Sequence, residues 1–139
     1  MRKTVVLLLS MLTLALPVAD AVAAVTAKPK VVVTTRRFVG AAVEADRWGR
    51  LQVTITVRKT TTTVGKKVTV RRRIVAVSVP VSPNHTDRSI FINEQALPYL
   101  KQETLTSQSA SIQLVSGATD SSSAFAQSLQ AAILAAKRA

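Results

Sequence analysis

Cysteine is absent from this chain of 139 residues. Without cysteine there are no disulfide bonds, so side-chain packing alone must hold the fold together. There are also no thiolate ligands for zinc or iron–sulfur clusters and no thiol redox chemistry. Any redox role therefore requires a bound cofactor, and a lipid anchor attached to an N-terminal cysteine is excluded.

Histidine and acidic residues are also scarce, with one histidine and seven aspartates and glutamates. His85 lies in a turn-like stretch and has no second histidine with which to share a metal ion. No two acidic residues have a spacing that suggests hydrolysis, and a nucleophile at Ser116 would have only His85 as its base. The composition favours neither a metal centre nor a hydrolase.

The N-terminus carries the three parts of a secretory signal peptide. Arg2 and Lys3 precede the apolar run "TVVLLLSMLTLALPV", and the small residues Ala21-Val22-Ala23 follow it. The run is interrupted by polar residues and is marginal for a bilayer span, which needs about 20 apolar residues. We expect cleavage after Ala23 and an exported protein in the cell envelope or secreted, with a retained N-terminal anchor as the alternative.

The formal net charge is +12. Such a surplus predicts attraction to anionic surfaces, and an exported protein meets envelope polymer or phospholipid headgroups rather than nucleic acid. The basic residues concentrate between residues 58 and 73, where they form a binding patch or a solvated strand edge that discourages pairing between sheets. This cluster comprises Arg58, Lys59, Lys66, Lys67, Arg71, Arg72 and Arg73.

Two or three antiparallel strands are predicted in the first half of the chain. Apolar residues alternate at Leu51, Val53, Ile55 and Val57, the pattern of a half-buried strand. After a turn near Gly65, a second alternating stretch continues as a strand until Pro80 and Pro83 end it.

The second half predicts helices. Residues 93–110 read as a helix in two parts, with Asn93 as a cap and Pro98 in the first turn of the main part. Residues 111–117 predict a short strand. A final helix, capped by Asp120 or by one of the three serines after it, repeats apolar residues at helical spacing. Its stripe comprises Phe125, Leu129, Ile133 and Ala136. We therefore expect an α+β fold, in which a small antiparallel sheet carries a middle helical segment and a C-terminal helix packed on it.

The stretch "VSGATDSSSAF" has the composition of a phosphate-binding turn. Glycine permits close backbone approach, N–H groups at a helix start point towards an anion, and hydroxyls add hydrogen bonds. A serine-rich helix cap without a ligand is the alternative interpretation. The candidate binding residues are Ser116, Gly117, Ala118, Thr119, Ser121 and Ser122.

Four motifs occur in a specific order from Trp48 onward: "WGRLQVTITV", "DRSIFINEQALPYLKQETLTSQSASIQ", "VSGAT" and "FAQSLQAAI". In this order they resemble the small exported FMN-binding domain family, the domain shared with the C subunit of sodium-pumping NADH:quinone oxidoreductase and the G subunit of the Rnf complex. The resemblance covers residues 48–139 and leaves residues 24–47 as a linker and first strand.

The resemblance implies a flavoprotein that carries electrons outside the cytoplasm, rather than a self-contained enzyme. It places FMN at the turn, retained non-covalently or joined to the Thr119 hydroxyl by a phosphoester that a flavin transferase installs. Gln113 replaces the acidic residue usual in the covalent motif, and Asp120 replaces a frequent aromatic residue, so both modes stay open. The resemblance also implies an extracytoplasmic redox partner. Trp48, the only tryptophan, packs in the core or at its rim, or else stacks on the flavin. The rival interpretation is a flavin-free basic module that binds anionic envelope polymer or membrane headgroups.

Overall fold

The computed structural model describes residues 27–139, and the predicted signal peptide at residues 1–23 lies outside them. The elements are β1 (Lys30–Val39), β2 (Val43–Glu44), a 3-10 turn (Asp46–Trp48), β3 (Arg50–Val64), β4 (Lys67–Val81), α1 (Asp87–Ser107) and α2 (Thr119–Arg138). The predicted α+β fold is confirmed. Neither helix of this part of the chain has the length and apolar character that a membrane crossing requires.

β3 is the centre of an antiparallel sheet. It pairs with β1 along one side and with β4 along the other, and the short β2 pairs with its first residues. The sheet therefore begins at Lys30, within residues 24–47, for which the sequence predicts a linker and a first strand. The predicted turn at Gly65 joins β3 to β4, and β4 ends at Val81, between the two prolines. Pro80 is tolerated inside β4 because this strand lies at a sheet edge.

The core lies between the sheet and α2. The predicted alternation is confirmed, since Leu51, Val53, Ile55 and Val57 are all buried. α2 packs its own apolar stripe against them, with Phe125 and Leu129 fully buried, Ala136 buried and Ile133 partly buried. Each large buried side chain stabilises the fold by about 1.5–3 kcal/mol relative to exposure.

Gly40 and Ser128 fix the distance between α2 and the sheet. A Cβ atom on Gly40 would lie 2.0 Å from the Ser128 carbonyl oxygen, so only glycine fits there. The Ser128 hydroxyl donates to the Ala41 carbonyl oxygen at 2.6 Å and accepts from the Val53 N–H at 2.8 Å. The helix thus satisfies backbone groups of the sheet that it covers.

α1 begins earlier than predicted and is continuous. Thr86 is its N-cap and forms a reciprocal capping box with Ser89. Ser89 occupies the position that glutamate or glutamine usually has in this motif. The prediction that Asn93 is a cap is wrong, since Asn93 is buried and donates to the Pro83 carbonyl oxygen at 2.9 Å. Pro98 lies inside the helix at an exposed position rather than in a first turn.

The predicted strand at residues 111–117 is also wrong, because these residues adopt no strand. The N–H of Gln113 donates to the Glu103 carboxylate at 2.8 Å, and that of Val115 donates to the Ser122 hydroxyl at 3.0 Å. Side chains of the two helices therefore accept hydrogen bonds from the backbone N–H groups that would otherwise pair with a neighbouring strand. α2 starts at Thr119 with Ala118 as N-cap, so the expected cap at Asp120 or a later serine is not observed.

Candidate functional site

The start of α2 leaves backbone donors uncapped. Gly117 has a φ of +81°, a left-handed conformation that favours glycine, and the Ala118 N–H closes the turn on the Val115 carbonyl oxygen at 3.0 Å. Ala118 provides no side-chain cap. Because the first N–H groups of a helix lack intrahelical acceptors, those of Thr119, Asp120 and Ser121 are available to an anion.

An open cleft of about 130 Å³ adjoins this helix start. Its second wall is the first turns of α1, and the 3-10 turn before β3 supplies an aromatic side chain. The positive ends of two helix dipoles therefore meet at one cleft, which favours a negatively charged occupant. The lining residues are Trp48, Arg88, Ser89, Ile92, Gly117, Ala118, Thr119, Asp120 and Ser121.

Fixed charges of both signs border the cleft. The exposed Arg88 supplies a guanidinium, which suits phosphate recognition because its donors form a planar fork. Asp120 lies in the first turn of α2, where its carboxylate interacts favourably with the helix dipole but repels a bound anion. The N-termini of both helices and Arg88 thus attract an anion to the cleft, whereas Asp120 repels it.

The predicted site residues separate into two groups. Gly117, Thr119 and Ser121 line the cleft together with the buried Ala118, and Thr119 is exposed. A Cβ atom added to Gly117 would meet nothing within 4 Å, so open space surrounds this part of the turn. Ser116 is exposed but does not line the cleft.

Ser122 braces the turn from inside. Its side chain is fully buried, donates to the Ala118 carbonyl oxygen at 2.7 Å and accepts from the Val115 N–H at 3.0 Å. Both hydrogen bonds fix the backbone that precedes α2. The geometry gives Ser122 a structural role and does not place it among the cleft residues.

Trp48 is half-buried at the rim of the cleft. The Arg47 guanidinium lies 4.9 Å from its ring centroid, within the range of a cation–π contact. The turn that carries both residues is closed by the Ala45 N–H, which donates to the Gly49 carbonyl oxygen at 2.7 Å. The indole is therefore held beside the cleft and remains partly accessible.

A carboxylate approaches position 113 from α1. Glu103 Oε1 accepts from the Gln113 N–H, while Glu103 Oε2 is buried and has no hydrogen-bond partner among the described residues. The carboxylate of α1 thus fixes the backbone of residue 113 near the start of the turn.

Sequence reasoning missed three cleft residues, Arg88, Ser89 and Ile92. The residue pattern predicts the start of the middle helix at Asn93, and the first turn of α1 therefore lies outside the predicted site. The Thr86–Ser89 capping box was the signal that could have found the true helix start. Nothing local in the sequence indicated that this turn would face Gly117.

Comparison of the chain with models of known protein families found no match, and comparison with curated proteins found none either.

Proposed function

We propose that this protein is an exported flavoprotein that binds FMN and carries electrons between extracytoplasmic partners. The observation that carries the proposal is the convergence of two helix starts and Arg88 on the exposed Thr119, beside Gly117. The cleft occupies the position at which the resemblance places the flavin turn.

The residues present fit the phosphate end of FMN. The N–H groups of Asp120 and Ser121 can donate to phosphate oxygens, and Arg88 can contribute charge-assisted hydrogen bonds. A phosphoester requires an accessible hydroxyl, and Thr119 is exposed at the cleft. Both non-covalent retention and attachment by a flavin transferase are compatible with this arrangement.

The three-ring part of FMN is too large for this cleft. Pockets that enclose ligands of such size have volumes of about 300–1,000 Å³, compared with about 130 Å³ here. The rings would therefore lie across the rim, where Trp48 offers an aromatic surface. When bound, FMN supplies the electron-transfer chemistry, while this chain holds the phosphate and leaves the rings open to a partner protein.

The test is to produce the full chain in its native host, or together with a flavin transferase, and to measure flavin absorbance and intact mass after denaturation. Covalent attachment predicts a mass increment of one FMN that Thr119→Ala removes. Non-covalent retention predicts flavin that is released on denaturation and is still bound by Thr119→Ala.

Thr106→Ala is the matched control, because Thr106 is an exposed threonine on α1 that does not line the cleft. This variant should bind flavin like the unaltered protein. A colourless protein that also fails to take up added FMN would contradict the proposal.

A further inference from the structure

The sheet extends beyond the helices at the end opposite the cleft. The Lys59 ammonium donates to the carbonyl oxygen of Ala139 at 3.3 Å, so the last turn of α2 lies level with Lys59. Five further residues of β3, at about 3.4 Å each, project about 17 Å past this point. We call this projection the ribbon; it comprises residues 30–33 of β1, 60–64 of β3 and 67–71 of β4, together with the turn at residues 65–66.

Positive charge on the ribbon and at its base is not neutralised by acidic residues. The sequence has no acidic residue between Asp46 and Asp87, and β1 has none. Within residues 27–139, the one ion pair joins Glu44 to Arg50 at the other end of the sheet, where the hydrogen bond that Arg50 donates to the Glu44 carboxylate raises the pKa of Arg50. The basic residues are Lys30, Arg36, Arg37, Arg58, Lys59, Lys66, Lys67, Arg71, Arg72 and Arg73.

Like charges face each other directly across the strands. Arg58 opposes Arg73, and Lys59 opposes Arg72. Such cross-strand pairs destabilise a sheet. Protection of sheet edges accounts for the charges on the outer strands β1 and β4, but not for Arg58 and Lys59, which lie on the central strand β3. Edge protection therefore explains only part of this arrangement.

Exposed valines accompany these charges. They project from both faces of the ribbon and flank its turn at Gly65 and Lys66, with exposed fractions that reach 59% at Val68. A soluble anionic polymer would neutralise the charges but leave these apolar side chains in water. The exposed valines are Val31, Val32, Val33, Val64, Val68 and Val70.

We propose that the ribbon docks the protein on an anionic phospholipid bilayer. Its lysines and arginines contact the headgroups, and the valines near the turn enter the interfacial region. Interfacial segments bury their apolar side about 5–10 Å deep, so a projection of about 17 Å reaches this depth while the helices remain outside.

Docking in this way leaves the cleft accessible. α2 lines the cleft at its N-terminus and reaches Lys59 at its C-terminus. A helix of 20 residues is about 30 Å long, so the cleft lies far from the bilayer. The docking surface requires no flavin and stands independently of the proposed function.

The experiment is cosedimentation of the full chain with phosphatidylcholine vesicles and with vesicles that also contain phosphatidylglycerol. We expect binding to the anionic vesicles that weakens as salt is added. Each cation near such a surface contributes about 1 kcal/mol, so charge reversal in Lys67→Glu should weaken binding by about tenfold or more. Lys101→Glu, the matched reversal on α1, should have a much smaller effect.

A second variant tests the valines at constant charge. Val64→Ser combined with Val68→Ser should weaken vesicle binding several-fold, while the circular dichroism spectrum stays unchanged. All variants share residues 1–26, so any contribution of that segment to vesicle binding is the same in each. Differences in vesicle binding between variants therefore report the substituted residues.

Three results would each overturn the proposal. The first is no preference for anionic vesicles. The second is equal loss of binding in Lys67→Glu and Lys101→Glu, which indicates net charge alone. The third is binding to soluble polyphosphate as tight as to vesicles, with no effect of the valine changes, which indicates a polymer surface.

Discussion

The central strand β3 passes through two regions that differ in almost every physical respect. Towards its start, Leu51 to Val57 alternate on a face that α2 covers completely. Beyond Val57 the same face continues with Lys59, Thr61 and Thr63, which are half-buried, and α2 ends level with Lys59. Period-two alternation forms a strand in both regions, whereas a core forms only where a second layer is present.

Charge separates the same two regions. None of the acidic residues between residues 27 and 139 lies on the ribbon, and one of them, Asp120, lines the cleft. The ribbon has cations without acidic partners. The excess of basic residues is therefore a local property of one end of the molecule, and it does not explain the cleft.

The largest expected effect tests the covered region. Phe125→Ala should lower the free energy of unfolding by about 3–5 kcal/mol, because it removes a fully buried ring and leaves a cavity. Phe91→Ala is the matched control, since Phe91 is 62% exposed on α1. Urea unfolding measures both values, and equal losses would show that Phe125 does not belong to a packed core.

The next effect tests whether the charges of the two regions have separate roles. Arg88→Gln should weaken FMN uptake by the flavin-free protein about tenfold or more, because a hydrogen bond to a charged group contributes about 1.5–3 kcal/mol. Arg73→Gln removes the same charge from the uncovered half and should leave uptake unchanged. Titration of FMN with flavin fluorescence as the readout compares them; similar losses would assign the effect to net charge.

A somewhat smaller effect tests how the layers are joined. Ser128→Ala should destabilise the protein by about 1–3 kcal/mol, because the Val53 N–H and the Ala41 carbonyl oxygen lose their partner. Ser111→Ala changes an exposed serine and should be nearly neutral. Denaturant midpoints measure the difference, and a neutral Ser128→Ala would mean that water replaces the hydroxyl.

The smallest effect concerns the base of the ribbon and has the opposite sign. Arg73→Glu should stabilise the protein by about 0.2–1 kcal/mol, because it replaces a repulsive pair with Arg58 by an attractive one. Arg73→Gln should give a smaller gain, since it only removes the repulsion. Thermal unfolding at low and high salt provides the measurement, and a gain that persists at high salt would argue against an electrostatic origin.

Regular patterns of side chains made parts of the fold predictable. The alternation around Ile55, the stripe that includes Leu129 and the turn at Gly65 each follow from neighbouring residues, and the structure confirms them. The predicted strand at residues 111–117 failed for the opposite reason. Its hydrogen-bonding partners are Glu103 and Ser122, which lie on two different helices, and no local pattern reports such contacts.

The candidate site was predictable only in part. The glycine and hydroxyls of the turn are visible in the sequence, and Gly117, Thr119 and Ser121 do line a cleft. Arg88 is separated from them along the chain, and only the packing of α1 brings it across. The structural role of Ser122 was not predictable either, because the sequence does not show whether a serine hydroxyl contacts a ligand or a backbone carbonyl.

The sequence by itself determined the local conformations: where strands alternate, where a helix has an apolar stripe and where a turn requires glycine. These depend on interactions between residues a few positions apart. The tertiary structure alone decided that two helix starts share a cleft and that one end of the sheet remains uncovered. Both outcomes depend on how far α2 extends along β3. The position of its N-terminus decides which backbone N–H groups lie at the cleft, and the position of its C-terminus decides which side chains of the sheet stay exposed to water.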